Sequence, residues 1–88
     1  MRSVCEQLFQ RYLKPAPGRP GCYIQAGQTQ VMVESAQWKL AYSPLEKVVF
    51  DLSSDHALLI DVPGDRGTHM VNWNRLLRIT VHEGGGHF

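Results

Sequence analysis

The segment Pro15-Ala16-Pro17-Gly18-Arg19-Pro20-Gly21 sets the strongest limit on what this chain can fold into. A residue before proline is pushed out of helical conformation, so no helix runs through the segment. It reads as a stiff connector, with helical spacing before it and strand spacing after it. Seven residues are too few to separate two domains. The 88-residue chain is therefore expected to be one compact domain over residues 1–83, followed by a mobile Gly-rich tail at 84–88.

Before the connector, Val4, Cys5, Leu8, Phe9, Tyr12 and Leu13 fall on one stripe of a helix. Ser3 and Glu6 match a capping box. After it, residues 22–26 and 29–34 read as a hairpin closed by Gly27-Gln28 in a type II′ turn. That register puts Cys22, Ile24, Ala26, Thr29, Val31 and Val33 on one mostly apolar face. Trp38, Leu40 and Tyr42 alternate with Gln37, Lys39 and Ala41, as in a strand.

Ser43, Pro44 and Glu46 open a second helix, with Leu45, Val48, Val49 and Leu52 at i, i+3, i+4 and i+7. Leu58, Ile60 and Val62 mark a further strand, stopped at residues 63–67. The last two strands, 68–73 and 77–82, pair Val71 with Ile79 across a loop at 74–76. The expected class is α+β: two short helices packed on one face of a mostly antiparallel sheet of about six strands, in the order αβββαβββ.

Composition excludes several classes. Hydrophobic residues make up 43% and charged residues 19%, which does not suit a disordered chain. The longest apolar run, Ala57-Leu58-Leu59-Ile60, is far short of the roughly 18 residues of a membrane span. The first residues carry no apolar signal region, which points to the cytoplasm. The formal net charge of +1 predicts no strong field. Cys5 and Cys22 lack metal or redox spacing and read as small buried hydrophobes.

No motif specifies an activity. His82-Glu83-Gly84-Gly85-Gly86-His87 places its second histidine one position too late for a zinc-protease helix. No metal site, cofactor or catalytic residue is expected. The leading expectation is a small non-enzymatic binding or regulatory module acting through protein contacts. Its candidate interface is the outer hairpin face, with Tyr23 beside Met32 and flanked by Gln25 and Gln30. One alternative is nucleic-acid binding through Arg66, Arg75 and Arg78 near Trp73. Another is a small metal-dependent or metal-free enzyme using His69, His82 and Asp61. The expected partner is a protein, or the chain itself as a homodimer. Its open edges are expected at residues 37–42 and 77–82. No membrane partner is expected.

Tyr23-Ile24-Gln25-Ala26-Gly27, Leu45-Glu46 and Val71-Asn72 resemble landmarks of the LytTR-type DNA-binding domains of bacterial response regulators, over residues 23 to 79. The basic His-Arg-Ser segment that precedes Val-Asn in that family reads Arg66-Gly67-Thr68 or His69-Met70 here. The DNA-contacting chemistry therefore does not carry over, and no family is assigned on this basis.

Overall fold

The computed structural model describes residues 1–36, 39–42 and 47–82. Among them are one helix and eight strands, in two antiparallel sheets. Helix α1 spans Arg2–Tyr12. The strands are β1 (Lys14–Pro15), β2 (Cys22–Ile24), β3 (Gln30–Ser35), β4 (Lys39–Tyr42), β5 (Val49–Asp51), β6 (Ala57–Asp61), β7 (His69–Asn72) and β8 (Leu76–His82). The larger sheet has the order β1-β2-β5-β6-β7 and the smaller one β4-β3-β8. The α+β class is as expected, but the single six-stranded sheet is replaced by two sheets around one core. None of the described helices is long and apolar enough to cross a membrane.

The helical stripe buries Cys5, Phe9 and Leu13, and half-buries Leu8 and Tyr12. Phe9 lies against Phe50 and Tyr23 of the larger sheet, with ring centroids 5.2 and 5.9 Å away and tilted planes. The capping box does not form. Met1 is the N-cap without a side-chain bond, and Ser3 sits inside the first turn. That turn is held differently: Arg2 Nε donates to the Leu52 carbonyl (3.1 Å), and its guanidinium lies 3.4 Å from Asp55. The helix ends at Tyr12, ahead of Pro15, which is tolerated in a two-residue edge strand.

The second helix is the largest correction. Its expected start, residues 43–46, lies outside the described residues, but Val49–Asp51 is strand β5 between β2 and β6. Val48, Phe50 and Leu52 are buried in alternation, the period of a strand. A Val-Val-Phe run loses side-chain freedom in a helix, and a sheet-centre position satisfies its backbone on both sides. Phe50, which the helical spacing leaves off its stripe, is fully buried.

Both expected hairpins are also corrected. The turn at Gly27-Gln28 forms, with Gly27 at φ 59° and Thr29 N–H donating to the Ala26 carbonyl (3.2 Å). A hairpin would return the bond from Ala26 N–H to the Thr29 carbonyl. Here Ala26 N–H donates to Thr29 Oγ1 (3.1 Å), and the Thr29 carbonyl accepts from Gln25 Nε2 (3.2 Å). Side chains take the groups that would start the ladder. The chain then passes between sheets: β2 pairs with β1 and β5, while β3 pairs with β4 and β8.

At the end of the chain, a 3-10 turn at Trp73–Arg75 carries it from β7 to β8. Val71 faces Leu58, and Ile79 faces Val33, so the two residues are not paired. Strands β4 and β8 are the edges of the smaller sheet, as expected of their segments; residues 37 and 38 and the tail from 83 lie outside the described residues.

The core joins Cys5, Phe9 and Leu13 to Val31, Val33, Leu76 and Ile79 of one sheet, and to Val48, Phe50, Leu52, Leu58, Ile60 and Val71 around the other. Truncating Phe9 or Phe50 to Ala should cost about 3–5 kcal/mol in urea unfolding, whereas Leu77→Ala, at an exposed position, should stay within about 0.5 kcal/mol. Burial pushes the Cys5 thiol up to about 11 from 9.0. Its folded value is raised, so its contribution is complete below the unfolded value. Stability should decline as pH rises through about 9 to 11, and Cys5→Ala should reduce that alkaline slope in denaturation series.

Candidate functional site

Strand register places the outward side chains of the larger sheet in rows. One row runs Lys14, Ile24, Val49, Asp61, and a second runs Cys22, Asp51, Leu59, Met70. Side chains opposite one another in an antiparallel pair share a face. The inward set is Tyr23, Phe50 and Ile60 with Leu58 and Val71. The outer face is thus mixed, with Ile24, Val49, Leu59 and Met70 set among Lys14, Asp51 and Asp61. Ile24, Val49 and Leu59 are half-buried, and Met70 is 64% exposed.

A polar clasp borders these residues. The connector folds into a compact loop, with Cys22 N–H bonded to the Arg19 carbonyl and Ala16 N–H to the Cys22 carbonyl. From that loop Arg19 reaches across β5 to Asp61 on β6, at 3.1 Å. The second oxygen of Asp61 accepts from Thr68 Oγ1 at 2.7 Å. Nearby, Asp51 accepts from Ser53 N–H (2.8 Å) and from the Cys22 thiol. Burial pushes the Asp51 carboxyl up, but these hydrogen bonds and Arg19 outweigh it and hold it below its usual value. The Cys22 thiol is raised by burial and by the Asp51 charge, so it stays protonated and is not an activated nucleophile. Both cysteines are free and buried, as expected. At the other end of the first row, Lys14, Ile24, Gln25 and Lys47 line a cleft of about 280 Å³.

The structure separates the residues of the expected interface. Tyr23 points inward against Phe9, and Gln25 braces the turn at Thr29. Gln30 and Met32 lie on the smaller sheet, where Gln30 faces His82 and Met32 sits between Ala41 and Thr80. Tyr23 and Met32 are therefore not side by side. That second outer face is mainly polar, with Glu34 in register between Lys39 and Arg78.

The basic residues are dispersed as well. Arg66 precedes β7, Arg75 follows it, and Arg78 is on the smaller sheet. The Trp73 indole donates to the Ser54 carbonyl (3.1 Å) and packs on the core. Of the alternative catalytic set, His69 Nε2 contacts Asp65 at 2.8 Å, Asp61 is held by Arg19 and Thr68, and His82 lies on the other sheet. Among the described residues no three His, Cys, Asp or Glu side chains stand close enough to hold a metal ion.

Sequence reasoning missed Ile24, Val49, Leu59 and Met70 as a group. A signal was present in Ala57-Leu58-Leu59-Ile60, which is apolar at both parities, as in strands with two covered faces. Comparison with protein-family models, curated proteins and solved structures finds no match for this chain.

The low Asp51 value carries a testable consequence. A depressed folded value contributes stability that is present above the unfolded value, near 3.8, and lost as pH falls through the folded one. Asp51→Asn should flatten the acid limb of a stability–pH profile below about pH 5, and it should also weaken the alkaline contribution of Cys22, whose thiol the Asp51 charge helps to raise.

Proposed function

We propose that this protein is a non-enzymatic binding module that acts through protein contacts on the outer face of its larger sheet, centred on Leu59 and Met70. The supporting observation is an apolar patch on that outer face. An antiparallel sheet with one buried face ordinarily turns polar side chains to water on the other. Here Leu59 and Met70 stand opposite each other on that outer face, and Met70 is 64% exposed. Asp51, the Arg19–Asp61 pair, Thr68 and Asn72 border them. An apolar centre within a polar rim, with methionine at the centre, is the make-up of a contact surface.

The smaller sheet's outer face supports this reading less well, because Met32 there sits among Thr80, Glu34, Arg78 and Lys39. The test is affinity capture from the native cell with the full chain, comparing it with Met70→Lys and Leu77→Lys. A protein held by the unmodified chain and by Leu77→Lys, but lost with Met70→Lys, is expected. Equal capture by all three, or no captured protein, would overturn the reading.

A further inference from the structure

Among the described residues the two sheets have four edges: β1, β7, β4 and β8. An open edge presents unpaired backbone donors and acceptors, and natural proteins guard such edges with charge, proline, shortness or a bulge. Strand β1 has two residues, one of them Pro15 and the other Lys14. Strand β8 carries Arg78, and its register slips between Glu34 and Ser35, so Leu77 is thrown out of the ladder. Strand β4 begins with Lys39. Strand β7 reads His69-Met70-Val71-Asn72 and has no lysine, arginine, proline or bulge. At four residues it is as short as β4 but lacks that strand's lysine, so it is the least guarded of the four edges, and it carries the most exposed residue of the proposed contact surface.

We propose that the partner of this edge is a second copy of the chain, with the two β7 strands antiparallel about a twofold axis beside Met70. This deepens the reading above and rests on it. Directly opposite residues share a face, so a twofold axis perpendicular to the sheet must pass a residue, not a midpoint between residues. Centring on Met70 pairs His69 with the partner's Val71 and Thr68 with the partner's Asn72. Inward residues stay inward, and outward residues stay outward. The second outer row then becomes continuous across the junction, with Leu59 and Met70 of one copy beside Met70 and Leu59 of the other.

Light scattering of the full chain over a micromolar dilution series should give the mass of two chains. Met70→Lys and Met70→Glu should each give one chain, because residue 70 faces its own copy. Mixing the two variants should restore the two-chain mass. Met70→Cys should form a disulfide-linked dimer on mild oxidation, since directly opposite Cβ atoms lie about 5 Å apart, and Leu77→Cys should not. A one-chain mass for the unmodified protein at every concentration, or a two-chain mass kept by Met70→Lys, overturns the inference. If the mass is one chain while Met70→Lys still abolishes capture of another protein, only the second-copy partner fails. If Met70→Lys changes neither mass nor capture, the contact surface fails with it.

Discussion

Phe9 of the helix meets Phe50 and Tyr23 of the larger sheet, and the remaining elements are arranged around that contact. Phe9 and Phe50 are fully buried, and each aromatic ring contributes a large share of a core this small. Their packing requires α1 to cover the larger sheet, and it requires β5 to run as a strand that turns Phe50 inward. Val31, Val33 and Ile79 of the smaller sheet belong to the same cluster. One core therefore serves a helix and two sheets.

The chain closes that core by moving between sheets. It enters the smaller sheet after the turn at Gly27, returns by β5, and leaves again through the 3-10 turn at Trp73–Arg75. Each crossing has a local cause. At Thr29 and Gln25, side chains occupy backbone groups that would otherwise begin a hairpin. At Trp73, the backbone N–H bonds to the His56 carbonyl and the indole to Ser54, which fixes the exit from β7. The Arg19–Asp61 pair adds a brace on the outer side of the larger sheet. The pair is exposed and screened by solvent, so its effect is on placement more than on stability.

Part of the site was legible and part was not. The apolar character of Leu59 could be read from its run, because neighbours of both parities are apolar. Met70 could not be singled out, since its exposure depends on β7 lying at an edge. A hairpin register that is internally consistent puts Tyr23 and Met32 on one face. The same apolar alternation, however, suits two strands that face each other across a core. Val71 and Ile79 show this again: both point inward, but from different sheets.

The sequence by itself determined the first helix, its stop before Pro15, the turn at Gly27, most of the strand segments and the burial of both cysteines. These follow from local terms: side-chain period, proline geometry and the positive φ that glycine tolerates. Only the tertiary structure decided which strands pair, that β5 is a strand despite helical spacing, and that Ile24, Val49, Leu59 and Met70 share the outer face of the larger sheet. Periodicity records which side of an element is apolar. It does not record which apolar surface that side meets, because burial is non-directional and several partners satisfy it equally.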